Sequence, residues 1–201
     1  ATTEIYTLSL HDALPIGARG LSIPSFHLPF EAKHDVASFY KTLRRKAVED
    51  LKPWISRAAA LGAGVVILHP STSGCNAEVE GVDVFLSALE DSLRTLLPFA
   101  AEHRVIIALE NMLPGMEGPR FCSRPDHIER IQRELGHPAL GFCLDTGHAL
   151  VAGGPGGAHR FFEAMGPALA AFHLSDSAGD RDMHKAPGRG LADRLELFSR
   201  A

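Results

Sequence analysis

Residues 140–148 read Leu-Gly-Phe-Cys-Leu-Asp-Thr-Gly-His. An apolar run stops abruptly at a carboxylate, Asp145. It does not alternate apolar with polar, so it fits a strand covered on both faces, the kind that builds parallel sheets. The same design recurs along the chain. Residues 21–26 lead to His27, 65–68 to His69, 105–109 to Glu110 and 168–172 to His173. The β-branched Val65-Val66-Ile67 is the clearest of these runs.

Longer helical patterns separate the strands. Asp35 is expected to cap a helix whose apolar positions, from Tyr40 and Leu43 through Leu51, Ile55, Ala58 and Leu61, approach a 3.6-residue period. Gly62 and Gly64 would end it. A second helix is expected from Val82 to His103, with Phe85, Leu86, Leu89, Leu93, Leu96, Leu97 and Ala100 on one face. Pro98 should bend it or break its last turn. Ser123-Arg-Pro-Asp126 resembles a capping box, with Pro125 in the first turn, where it is tolerated. Ile128, Ile131 and Leu135 continue that helix and Gly136 would end it. A Gly-rich loop at 153–157 precedes a short helix around Phe161. Repeated strand–helix units imply an α/β fold, either a parallel barrel or a doubly wound sheet.

The residues at the strand ends share a chemistry. His27, His69, Glu110, Asp145 and His173 are separated by 42, 41, 35 and 28 residues, each about one strand–helix unit. In a parallel barrel the C-terminal strand ends converge on one face, where the loops build the active site. A lone histidine after a strand is more often a hydrogen-bonded loop residue. Five donors in register are hard to obtain that way. Two carboxylates among imidazoles suit a borderline divalent cation such as Zn²⁺, Mn²⁺ or Co²⁺. Cys143 inside its strand reads as a buried structural thiol. His27 is the weakest of the five, because Pro24 interrupts its strand.

Two local motifs add candidates. In Asp145-Thr-Gly-His148 the glycine permits a tight turn that would return His148 towards Asp145. The bland alternative is an aspartate that caps the following segment. Asp182-Met-His184 presents both side chains to one side if extended, and otherwise is a solvated loop.

The stretches SFHLPF, VVILHP, IIALEN, GFCLDTGHAL, AFHLSD and DMHKAPGRG, in this order, resemble the xylose-isomerase-like TIM barrels. That superfamily includes sugar-phosphate isomerases, epimerases and endonuclease IV. The resemblance covers residues 17–194 and implies a parallel (β/α) TIM-type barrel. The chain lacks a convincing first strand and a last one, so the expected architecture is an incomplete barrel. The resemblance implies a divalent metal, Mn²⁺ or Zn²⁺ first with Mg²⁺ or Co²⁺ as alternatives. Its ligands would be Glu110, Asp145 and His173. Glu110 and His148 would be catalytic, His148 by contacting the substrate. His27, His69, Asp182 and His184 would line the pocket or hold further metal. The implied activity is isomerisation or epimerisation of a small sugar, polyol or sugar phosphate by proton transfer through an enediolate. The family's second glutamate ligand belongs to the last strand and has no counterpart here.

The alternative within the superfamily is an endonuclease IV-like enzyme that cleaves DNA at abasic sites with zinc ions. The eight candidate residues would match its ligand set almost completely. A third reading is an inactive truncated barrel or a binding module. Charge weighs against DNA. Lys+Arg total 20 against Asp+Glu 24, a net charge of −4, and phosphate-backbone binding wants a basic face. Hydrophobic residues make up 45% and charged residues 22%, an ordinary globular composition. No apolar stretch is long enough to span a membrane. Three cysteines at irregular spacing form no disulfide framework, which points to the cytoplasm. A homo-oligomer is compatible with this composition. Residues 3–16, TEIYTLSLHDALPI, lack the features of a secretory signal and read as a non-native leader. Residues 17–201 would then form the barrel domain.

Overall fold

The computed structural model describes residues 17–191. The expected leader at 1–16 lies outside the described residues. Five strands are present: β1 (Ser25–His27), β2 (Val65–Leu68), β3 (Ile106–Glu110), β4 (Leu140–Asp145) and β5 (Leu169–His173). Six helices join or follow them: α1 (Lys41–Ala60), α2 (Ala77–Glu80), α3 (Val82–Glu102), α4 (Pro125–Glu134), α5 (Thr146–Gly153) and α6 (Gly157–Met165). The strands pair in chain order and every pairing is parallel. Each unit is laid beside the one before it, which is how a (β/α) barrel grows. The described residues form an open half-barrel, in keeping with the partial TIM-type barrel expected.

Side-chain alternation along β2, β3 and β4 separates two apolar layers. Val66, Leu68, Ile107, Leu109, Phe142 and Leu144 face the helices and join the main core with Leu51, Ile55, Phe85, Leu89, Leu93, Ile128 and Phe161. Their neighbours Ile67, Ala108 and Cys143 point the other way and pack with Val65, Ala170 and Ala171. That second layer is the barrel interior, and its residues are mostly small. Strand period 2 then fixes the direction of the donors. Glu110 shares the parity of Ala108, Asp145 that of Cys143, His173 that of Ala171 and His69 that of Ile67. All four therefore continue the interior layer at its C-terminal end.

A one-residue irregularity completes the alignment. Phe142 pairs with Leu169, but Cys143 pairs with Ala171, so the register shifts between them. Without the shift Asp145 would lie opposite Phe172. With it, Asp145 lies opposite His173. A slip of one residue reverses which face a side chain meets, and here it places two donors side by side.

Several local expectations are corrected. Asp35 does not cap a helix. It follows a 3₁₀ turn (Ala32–His34), its Oδ1 accepts the Ala37 N–H at 3.0 Å, and α1 begins only at Lys41. Of the two outcomes expected at Pro98 the break does not occur, since helix α3 runs through it to Glu102. Ser123 makes no capping box: its hydroxyl donates to the Arg120 carbonyl, and the residue at the head of α4 is Arg124, which caps with no side-chain bond. Pro125 opens α4 as expected, but the helix ends at Glu134, before Gly136. The strand expected over residues 21–26 shortens to Ser25–His27, clear of Pro24. No described helix is long and apolar enough to cross a membrane.

Candidate metal centre

The strand ends bring their donors into one cluster with Glu110 at its middle. Glu110 is almost wholly buried. Its Oε1 accepts a hydrogen bond from His173 Nδ1 at 2.8 Å. Its Oε2 meets His27 Nε2 at 3.2 Å and His69 Nε2 at 3.1 Å. Asp145 Oδ2 lies 3.7 Å from the same His173 nitrogen. Burial alone would push the Glu110 carboxyl up, but hydrogen bonds from His173 and His27 and the nearness of His69 outweigh it. They hold it well below the usual carboxylate range. The Glu110 hydrogen bond raises His173 above the ordinary imidazole value, although partial burial opposes it. His69 goes the other way: its burial outweighs Glu110 and lowers it, which favours the neutral imidazole that a metal requires.

The cluster is braced from beneath. Asn111 follows Glu110 and is fully buried. Its side chain accepts from the Asp145 backbone N–H at 2.7 Å and donates to the Asp145 carbonyl at 3.0 Å. Its own carbonyl contacts His148 Nδ1 at 2.9 Å. Asn111 therefore locks the end of β3 to the end of β4. Asp145 caps the following helix, the bland alternative, and also faces the donor cluster. Its Oδ1 accepts the His148 backbone N–H at 2.8 Å and so caps α5. Its Oδ2 stays free to face the other donors. Gly147 is needed here for space, because a Cβ would collide with the Ser175 hydroxyl, which itself donates to Asp145 Oδ1.

The donor set fits a cation. Asp145 Oδ2 and Asp182 Oδ1 are buried oxygens that accept no hydrogen bond among the described residues. A buried carboxylate oxygen without a donor is costly. The imidazoles point the same way. His27 Nδ1 sits 2.7 Å from the Leu28 carbonyl, so that nitrogen carries the proton. With Nε2 also protonated the ring hydrogen-bonds Glu110; without that proton a lone pair would face the carboxylate, as in a metal ligand. His148 repeats the arrangement: Nδ1 donates to Asn111, and Nε2 faces Asp182 Oδ2 at 3.7 Å and Asp145 Oδ2 at 4.0 Å. A cation between such acceptors would resolve their repulsion. Two groups of three donors have atoms mutually within 4.8 Å: Glu110 with Asp145 and His173, and His27 with His69 and Glu110.

His148, Asp182 and His184 stand beside these groups. His184 Nε2 lies 2.8 Å from Asp182 Oδ2, and its ring is 6.5 Å from that of His148. The Asp-x-His segment is not simply extended, since His184 has φ of 42°. All eight candidate residues line one cavity of about 480 Å³, within the range of small-molecule sites. Phe30, Thr72, Met112, Leu113 and Arg120 complete its wall. Asn111 and Arg120 were not singled out from the sequence as site residues. Asn111 carried a signal, as an amide directly after a buried carboxylate. The place of Arg120 depends on a loop fold that no periodicity encodes. Cys143 lies buried beneath the site, and burial pushes its thiol pKa well up, as suits a structural residue.

A parallel half-barrel with acid and imidazole donors at its strand ends defines a class, and the comparisons identify it. Residues 16–201 match the family model described as xylose isomerase-like TIM barrel, and the chain belongs to that family. A D-tagatose 3-epimerase-like protein of known structure is 25% identical, with a TM-score of 0.79, and the match covers 96% of this chain and 72% of that one. An L-ribulose 3-epimerase has the same TM-score at 16% identity, covering 98% and 63% of the two chains, which speaks for the fold alone. Among curated proteins, a probable endonuclease 4 of Solibacter usitatus is 30% identical over 162 residues, covering 75% of this chain and 54% of that protein. An uncharacterized protein of Methanocaldococcus jannaschii is 27% identical over 177 residues, covering 87% and 58%. The chain spans a little over half the length of these curated relatives.

Proposed function

We propose that this chain carries the metal site of a sugar isomerase or epimerase. The observation that supports this most is the Glu110–Asp145–His173 group at the floor of a cavity sized for a small molecule. Glu110, Asp145 and His173 would hold one divalent cation, Mn²⁺ or Zn²⁺ first. When bound, that cation acidifies the C–H next to a substrate carbonyl. The residues supply the rest. Glu110, kept ionised by its imidazoles, would fix the charge of the site. His148, with Nδ1 donating to Asn111, would present Nε2 to a substrate oxygen and hold or return a proton there. Phe30, Met112 and Leu113 would exclude water from the reacting carbon.

A specific observation favours a second reading. The His27–His69–Glu110 group shares Glu110 with the first, and His148, Asp182 and His184 stand alongside. Donors for more than one ion suit the endonuclease named in the curated relatives. The cavity weighs against it. Arg120 is the one Lys or Arg in its described wall, too little for a DNA backbone.

The test is to incubate the metal-loaded chain with neutral and phosphorylated ketoses in D₂O and follow loss of the proton beside the carbonyl by NMR. Solvent deuterium should enter that carbon, and Asp145→Asn should abolish entry. Cleavage of a duplex with an abasic site, without deuterium entry into any ketose, would reject the sugar reading.

A further inference from the structure

Arg120 is the basic residue that the metal chemistry leaves unused. It lies on the loop between β3 and α4, half-buried, in the wall of the same cavity. The loop fixes it firmly. Gly115 N–H donates to the Gly118 carbonyl at 2.9 Å, closing a tight bend just before it. The Arg120 carbonyl accepts from the Ser123 N–H at 3.0 Å and from the Ser123 hydroxyl at 2.8 Å. Its Nε donates to the Ser73 carbonyl at 2.8 Å. Gly115 packs against the stem, so closely that a Cβ there would press on Arg120 Cγ and the Gly74 carbonyl.

With Nε committed to Ser73, the two terminal nitrogens remain. They make no hydrogen bond or ion pair with a described residue. The acid that Arg120 senses most, Asp35, is not in ion-pair contact, and its own oxygens serve the Ala37 N–H and the Ser71 hydroxyl. A half-buried guanidinium that is held by its stem and lacks a paired carboxylate has given up part of its hydration at a cost. The cost is offset when an anion arrives, because the planar fork matches the two oxygens of a carboxylate or phosphate. Thr72, one residue from the Ser73 anchor, lines the cavity too and can add a hydroxyl donor.

We propose that Arg120 is an anion-recognition residue that binds a negatively charged terminal group, phosphate ester or carboxylate, of the substrate whose polyol end meets Glu110, Asp145 and His173. This rests on the sugar reading of the site and narrows its substrate class to acidic sugars. The chemistry of the contact is shared by both anions, so the test separates them.

The whole chain, in Mn²⁺ buffer, would be titrated calorimetrically with D-fructose, D-fructose 6-phosphate and 5-keto-D-gluconate. At least one anionic probe should bind about tenfold or more tightly than D-fructose, the scale of a hydrogen-bonded charge. In Arg120→Gln that ratio should fall to near one, while Arg120→Lys keeps part of it. Circular dichroism and melting temperature would confirm that both variants fold. If all three probes bind wild type equally, or the ratio survives Arg120→Gln, the Arg120 assignment is overturned while the sugar reading stands. If no probe binds, both fall. A loss in Arg120→Gln of affinity for an abasic duplex, with the sugar ratio unchanged, would also overturn it.

Discussion

Glu110→Gln should lower the affinity for Mn²⁺ or Zn²⁺ by well over about 100-fold, since even residues that only orient metal ligands are worth about 10–100-fold. The substitution keeps the volume but removes the charge that both donor groups share. It also turns one oxygen facing His27 and His69, or His173, into an N–H donor. Proton linkage gives the effect a second signature. In the wild type Glu110 raises His173, so protons compete with the metal for that imidazole from above the ordinary value of about 6.5. Metal affinity should therefore decline as the pH falls through that raised value. In the metal-free protein the sign for folding is opposite. A raised imidazole contributes stability below about pH 6.5 and loses it as the pH rises through the folded value. In Glu110→Gln the His173 titration should move back down, which an NMR titration of its ring protons would detect. An unchanged metal affinity, or an unchanged His173 titration, would show that Glu110 is not the centre of the cluster.

Phe142→Ala should cost about 3–5 kcal/mol of folding stability, measured by urea denaturation of the metal-free chain. Phe142 is among the largest fully buried side chains and sits on the helix-facing side of β4. Its removal leaves a cavity that the surrounding strand and helices cannot readily fill. Cys143, the next residue, provides the contrast. It faces the thin interior layer among Ile67, Ala108 and Ala171, so Cys143→Ala removes only a sulfur and should cost far less. Met116→Ala, at a fully exposed position, should change nothing measurable. Equal costs at 142 and 143 would mean that the two faces of β4 have been assigned the wrong way round.

That contrast shows what the sequence alone conveys. The strand at 140–144 is legible because β4 is covered on both faces and therefore reads as one apolar run. Its carboxylate is legible because the apolar run stops there, although burial continues through Asp145 to Leu150. For the same reason His69, Glu110 and His173 could be placed before any coordinates. The facing of Asp145 and His173 was not legible in detail, because it depends on the shift between Phe142 and Cys143, and pairing register is a property of two strands together. Helix starts failed for a related reason. Asp35 has the right chemistry for a cap, but its carboxylate is taken by the Ala37 N–H and the Ser71 hydroxyl, so α1 starts at Lys41 without a side-chain cap. Ser123 is likewise drawn back to the Arg120 carbonyl. A cap is lost when another partner claims its side chain, a near neighbour for Ser123 and both a neighbour and a distant hydroxyl for Asp35, and Arg120 itself reaches the cavity only through that folded loop.

A cation held by Glu110, Asp145 and His173 is tested most directly by native mass spectrometry after Mn²⁺ or Zn²⁺ loading. The expected result is one tightly held ion per chain in the wild type and none in Asp145→Asn, with the folded charge-state distribution unchanged. A wild type that retains no ion, or one that retains three zinc ions of which Asp145→Asn loses only part, would contradict it.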